Sequence, residues 1–595
     1  MTKRAQLFLS CLLAATAAVA APTAKDLESR RQALNRLLAE QWEYNLSTSP
    51  EFASILGDKR WNDKLSDFSQ AQIDRDLAKA KDFLGRFEAI DTTGFPEQEA
   101  LNKTLMVRGL KEGLADARFK GWEMPVSQIS GIHLLVPQIA SLLQFQTVKD
   151  YEDLTTRYQN FPALFEQTMA HMRQGMRDGL MPPKFLLGKV ADQCNGIAKM
   201  KPEDSPFAEP LKHFPAGVSQ DDQGRLRSAM LAAIQGRILP AYARFAKFVR
   251  EEYEPKGRAE PGMWSLPDGA ERYANAVARQ TTSHLTPEEI HQLGLREVAR
   301  IEGEMLRIAQ RQGFSDLKSF NTAIEKNPDL RAGTRQRLLD LYTKHIDEMW
   351  ARLPQLFGRL PKAKVEVRPV EEYQEKEASG ARYDQGTPDG SRPGRVMVNT
   401  GDPEHRKVIT AESTAYHEGV PGHHMQIAIQ QELPELPPFR QQGGYTAFAE
   451  GWALYSERLG KEVGFYQDPY SDYGHLQDEM LRAIRLVVDT GFHFKRWSRD
   501  QVVRFFHDHS AIDEVEVQSE TDRYIVWPGQ ALAYKIGQLK ISELRERSQK
   551  ALGSRFDIRA FHDEVLGAGA LPLDVLEERI DSWTGAQKAA AKPAP

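Results

Sequence analysis

Three histidines and a glutamate fall within eight residues in the run Thr414-Ala-Tyr-His417-Glu418-Gly-Val-Pro421-Gly422-His423-His424-Met-Gln426. A histidine followed by a glutamate and then a second histidine is the pattern by which two imidazoles hold a zinc ion while the carboxylate activates a water. The common spacing, His-Glu-x-x-His, sets both imidazoles on one helical face. Here the position of the second histidine holds Pro421, and the next imidazoles belong to His423 and His424.

Helix geometry states what this spacing demands. Six residues turn a straight helix about 600°, which leaves the side chain about 240° away from the face of His417. Seven residues return it near that face but about 10 Å along the axis. Two nitrogens sharing one zinc each lie about 2.1 Å from it, so a straight helix joins His417 to neither histidine. Pro421-Gly422 supplies a break. Proline removes a backbone donor and clashes with the carbonyl four residues back, at His417, and glycine accepts the dihedrals that follow. The sequence therefore predicts a helix ending near Gly419, a bulge over residues 420–422 and a second helix from His423, which returns His423 towards His417. His424 is the alternative ligand. The competing reading is a helix–turn–helix junction with solvent-facing histidines.

A catalytic zinc takes three protein ligands and keeps one position for water. Glu450, in the helical run Ala447-Phe-Ala-Glu450-Gly-Trp-Ala-Leu-Tyr-Ser-Glu457, is the candidate third ligand. It follows a Gly443-Gly444 break and sits among apolar residues, where a lone carboxylate is costly unless paired or metal-bound. Glu457, two turns further on the same face, is a candidate partner behind the ligands; the bland alternative for Glu450 is a salt-bridged structural carboxylate. Further along, Arg523-Tyr524-Ile-Val-Trp-Pro528-Gly-Gln530-Ala-Leu-Ala-Tyr534-Lys535 carries groups that amide hydrolysis can use. A developing oxyanion needs donors besides a metal, and Tyr534, with Tyr524 second, offers a phenol. Arg523 or Lys535 offers a charge for a substrate carboxylate, and the arginine fork suits it better. The alternative for Tyr534 is an ordinary packing tyrosine.

These motifs, together with Thr286-Pro-Glu-Glu-Ile-His-Gln-Leu-Gly-Leu and Asp389-Gly-Ser-Arg-Pro-Gly, resemble the bacterial domain-of-unknown-function 885 family over nearly the whole chain after residue 20. That family resembles the gluzincin-type, largely helical zinc peptidases, whose pattern is His-Glu, then His, then Glu. The resemblance implies His417, His423 and Glu450 as zinc ligands, Glu418 as general base, and His423 rather than His424.

The elements that must position these groups are mostly helical. Residues 25–46, 71–87 and 97–118 carry apolar residues at helical spacing. Residues 150–178 do too, with a break or restart expected at Pro162, and so do residues 223–253. Thr286-Pro287-Glu-Glu289 is a helix start, with Thr286 capping and Glu289 three residues on. Near Pro361 the texture changes. Residues 363–369 alternate as a strand, 381–393 read as a loop or hairpin, and 395–400 as a second strand. Such a strand either pairs with an extended substrate or braces the helices.

The 595 residues, at net charge −5 and 27% charged, have an ordinary soluble composition without the basic block that nucleic acid would call for. Residues 1–20 read as a signal segment, with Lys3 and Arg4 before an apolar run and Ala18-Val-Ala20 at the cleavage site; a membrane anchor or a lipid-modified Cys11 is the weaker reading. Of the two cysteines, only Cys194 would then remain, a buried structural thiol rather than a nucleophile. The expectation is a mainly α, multi-helix, metallopeptidase-like fold with a deep cleft and a small β-element before the metal-binding helix. It divides into a helical portion over 21–360, a catalytic portion over 361–584 and a disordered tail over 585–595. The expected activity is that of an exported, periplasmic peptidase of short peptides, with one zinc per chain and no nucleic-acid or membrane partner. A metal-dependent hydrolase of another amide or ester, and a non-catalytic binding protein, are the alternatives.

Overall fold

The structure is a computed structural model and describes residues 24–590 except 373–374, 376–378, 388–389 and 391. The signal segment with Cys11, part of the Asp389 motif, and residues 591–595 lie outside the described residues. The chain is mainly helical, with one three-stranded sheet. Among the described residues no helix is long and apolar enough to cross a membrane.

The predicted helices form where the apolar spacing sets them: Ala24–Thr48, Gln70–Glu88 and Glu97–Ala117. Thr286 and Glu289 close their reciprocal cap on the helix Pro287–Arg311. Two expectations are corrected. Pro162 does not break its helix, which runs unbroken from Val148 to Asp178. Tyr158, Phe161 and Phe165 on either side of it are buried in an aromatic cluster with Phe207 and Tyr242, and that packing outweighs the lost backbone bond. The tail is ordered further than expected, because residues 585–589 complete the helix Leu573–Ala589.

One apolar core gathers residues from Leu105 to Ile580 around Trp452, Phe448 and Tyr416. A second, over Val126–Tyr253, is built by the middle helices alone. Cys194 belongs to it, and burial pushes its thiol up to about 12, so it packs and does not react.

The sheet has the order β1-β3-β2, with β1 (Val365–Pro369) parallel to β3 (Gly394–Val398) and β2 (Ala381–Asp384) antiparallel to it. The glycine-rich stretch is thus a hairpin whose first strand is β2. The sheet sits against the second histidine helix through a close approach at Gly394, where a Cβ would lie 2.8 Å from His424 Nδ1.

Candidate metal centre

The helix bearing His417 and Glu418 spans Ala411–Glu418, and the next helix starts at His423 and ends at Gln431. Between them the backbone bulges as the spacing demands. Gly422 N–H reaches the Tyr416 carbonyl at 3.0 Å and His424 N–H the Gly419 carbonyl at 3.1 Å, so the break leaves these donors satisfied. The Val420–Pro421 peptide is cis. Only glycine fits at 422, because a Cβ there would lie 2.0 Å from the His417 carbonyl oxygen. Trp452, two residues beyond Glu450, donates its indole N–H to the Pro421 carbonyl at 2.8 Å and ties the bulge to the Glu450 helix, Thr446–Glu462.

The result brings His417, His423 and Glu450 together. One ligating atom from each lies within 4.8 Å of the others. Glu450 Oε2 is 3.3 Å from His423 Nε2 and 3.6 Å from His417 Nε2. Two atoms each about 2.1 Å from one tetrahedral ion stand about 3.4 Å apart, so these separations suit a shared cation. Glu450 Oε2 is also buried without a hydrogen-bond donor, an arrangement that is costly unless something else meets it. His417 keeps 4% of its side-chain surface, His423 13% and Glu450 20%, so His417 is sealed while the other two open to solvent.

Charge points the same way. Burial opposes a proton on His417, yet Glu450 and Glu457 hold its pKa up, at about 10. Burial likewise opposes the Glu450 anion, yet His423 and His417 hold its carboxyl well below the usual range. Both shifts show the two carboxylates drawing positive charge into the site, a proton on His417 when nothing else supplies it. Glu457, fully buried, accepts from His417 Nδ1 at 2.7 Å. That bond fixes the tautomer with Nε2 free to ligate.

His424 faces elsewhere. Its Nδ1 meets the Tyr383 hydroxyl at 3.0 Å and its Nε2 the Ala363 carbonyl at 3.2 Å, and burial pushes it down to about 4. It therefore braces the second helix against the sheet and is not available as the alternative ligand.

Glu418, next to His417 in the chain, is half-buried. The Tyr534 ring lies parallel to the His417 ring at 6.5 Å. Tyr534 lies in the first turn of the helix Ala533–Leu552, which crosses the Glu450 helix at Gly451 and Gly537. A Cβ on Gly451 would sit 2.4 Å from Gly537 Cα, so the two helices touch backbone to backbone there and bring Glu450 and Tyr534 into one site. Arg523 Nη2 is 3.4 Å from the Tyr534 hydroxyl. The structure separates Tyr524 from this group: its hydroxyl is held by Glu520 and by Arg485 Nε, the latter at 3.0 Å. Lys535 is fully buried, with its ammonium paired to Glu479 and Glu297.

Sequence reasoning missed Arg482 and Arg485. Arg485 lies with its guanidinium 4.6 Å over the Tyr534 ring, and Arg482 Nη2 is 3.9 Å from Glu457. Their signal was legible: Glu479, Arg482, Arg485 and Asp489 recur every three or four residues in a helix, Pro469–His493, whose other positions are largely apolar and buried.

A mainly helical chain with a His417–His423–Glu450 cluster is the class of protein that fold and site define. The chain belongs to the family described as "bacterial protein of unknown function (DUF885)", which matches residues 50–580. The structure is similar to that of a protein from Colwellia psychrerythraea described as a "putative lipoprotein", with a TM-score of 0.89 and 29% identity over 94% of this chain and 99% of that one. A "putative lipoprotein of unknown function" from Shewanella oneidensis shares the fold at a TM-score of 0.70 and 18% identity, over 92% of this chain and 99% of that one. No curated protein matches the chain.

Proposed function

We propose that the protein is an exported zinc-dependent peptidase related to the gluzincin type, which hydrolyses short peptides in a cleft between its helices. The observation that carries this reading is the convergence of His417, His423 and Glu450, with the orphaned Glu450 Oε2 between two imidazole nitrogens. These three residues hold the ion, and imidazole with carboxylate suits zinc. When bound, zinc supplies Lewis-acid polarisation of a carbonyl and acidifies a water.

The chain's own residues do the rest. Glu418 takes the water proton and returns it to the leaving amine. Tyr534 donates its hydroxyl to the developing oxyanion, with Arg523 beside it to hold that hydroxyl in place. Glu457 keeps His417 oriented throughout. Export rests on the signal-like residues 1–20, and the descriptions of both structural relatives agree with it.

The test is a zinc-loaded Glu418→Gln variant beside wild type on a library of short peptides. Turnover should fall by at least about 10²–10⁴-fold with the metal retained. Equal rates would overturn the assignment of Glu418. A wild type that holds zinc and cuts no peptide would pass the site to another amide or ester, or to binding alone.

A further inference from the structure

Glu520, on the helix Glu514–Val526, must answer two guanidiniums at once. Its Oε2 accepts from Arg485 Nη2 at 2.9 Å and from the Tyr524 hydroxyl, and its Oε1 accepts from Arg523 Nη1 at 3.0 Å. Arg485 and Arg523 hold the Glu520 carboxyl down to about 2 against its burial. One carboxylate therefore stands against two fixed cations. The uncharged Gln530 takes a further Arg523 donor at 2.7 Å.

The excess positive charge has a direction. Arg485 spends Nε and Nη2 on Tyr524 and Glu520, while its Nη1 is buried and has no hydrogen-bond partner. Its guanidinium lies over the Tyr534 ring. Arg523 reaches from the Tyr534 hydroxyl towards Trp527, whose ring is 5.8 Å from the guanidinium and which is 46% exposed. Arg523 itself keeps 21% of its side-chain surface. It is thus a charged fork between the candidate metal centre and solvent, with unused donors. A further acid, Glu516, lies one turn before Glu520 on the same helix at an exposed position, where solvent and salt screen its charge.

We infer that Arg523, backed by Arg485, forms a carboxylate subsite that takes the C-terminus of a short peptide. This deepens the peptidase reading and rests on it. The spacing fits that substrate class. Arg523 Nη2, 3.4 Å from the Tyr534 hydroxyl, is spent on Tyr534 and Gln530. If that hydroxyl lies about 2.7–3.1 Å from the oxyanion, the free Nε and Nη1 donors of the same fork reach a carboxylate no more than about 12 Å from the reacting carbonyl. An extended chain covers about 3.3–3.6 Å per residue, so no more than about three residues separate the cut bond from the chain end. The chain end, not an internal stretch, is what the site selects.

The test is calorimetric binding to the zinc-loaded Glu418→Gln protein, which reads affinity without turnover. The probes are tri-alanine, tri-alanine amide, and an acetylated and amidated Ala-Glu-Ala that offers only a side-chain carboxylate. Tri-alanine should bind at least about 30-fold more tightly than its amide, the scale expected for one buried charge pair. Arg523→Gln should bring that ratio below about 3-fold. If that variant does not fold, the acid-to-amide ratio on the Arg523-containing protein decides alone. Equal binding of acid and amide overturns the subsite and leaves the peptidase reading standing. Binding of none of the three overturns both. Blocked Ala-Glu-Ala binding as tightly as tri-alanine overturns the C-terminal assignment in favour of an acidic side chain.

Discussion

Replacing Glu457 by Gln tests the electrostatics behind the ligands. The glutamine keeps the shape and can still accept from His417 Nδ1, where the carboxylate now accepts at 2.7 Å. What it removes is the carboxylate itself, fully buried on the far side of the imidazole from Glu450; burial pushes that carboxyl up, and Arg482 and His417 oppose the rise. Charge-assisted hydrogen bonds are roughly twice as strong as neutral ones, and loss of such an outer partner costs about 10–100-fold in metal affinity. Arg482, 3.9 Å from Glu457, stays paired with Asp478 at 3.2 Å, so the variant should fold. Competitive zinc titration against a chelator at fixed pH, with thermal unfolding as the control for folding, measures the effect. An affinity within about 3-fold of wild type would refute the claim that Glu457 tunes His417. A loss beyond about 10⁴-fold would make Glu457 a ligand itself, contrary to the geometry.

Further predictions follow from the helix packing and the buried charges. Gly451→Ala forces apart a crossing at which the new Cβ meets Gly537 Cα at 2.4 Å; denaturant unfolding should show a loss of about 1–3 kcal/mol, with weakened zinc binding because Glu450 moves with its helix. Tyr534→Phe should lower kcat about 10²–10³-fold, whereas Tyr524→Phe, which loosens the Arg485–Glu520 pairing, should show mainly in stability; equal kinetic losses would contradict the separation of the two phenols. Asp489 is fully buried, and burial pushes its carboxyl up from 3.8 to about 7 despite donors from Tyr273 and Gly529. The folded state therefore holds a proton that the unfolded chain releases, so this group's contribution is fully present below about pH 4 and is lost as pH rises towards 7, on the order of 4 kcal/mol in all. Asp489→Asn should gain stability relative to wild type between pH 5 and 8 in urea melts, and an unchanged difference across that range would rule the account out.

The chain's own residues made much of the site legible. Pro421 and Gly422 are strong local punctuation, and helix geometry alone required a bulge to return His423 to His417; the bulge is there, over the residues expected. Glu450 was legible because a carboxylate among Phe448, Trp452 and Leu454 demands a partner. The helix cap at Thr286 was legible for the same local reason. What local pattern could not supply was the effect of distant packing. Pro162 stays helical because Phe207 and Tyr242, remote in sequence, hold both of its flanks. β2 emerged from a glycine-rich stretch because β3 offers it a partner. Tyr524 and Tyr534 are alike in sequence and differ only in which arginine and carboxylate the neighbouring helix brings to them. The pairing of His424 with Tyr383 likewise depends on where the sheet docks.

Whether His417, His423 and Glu450 hold a zinc ion is read from the metal content of the purified chain, wild type beside His423→Ala and His424→Ala, after equilibration with zinc and removal of excess. About one zinc per chain is expected in wild type and in His424→Ala, and none in His423→Ala. Zinc retained by His423→Ala and lost from His424→Ala, or no zinc in wild type, would contradict this ligand set.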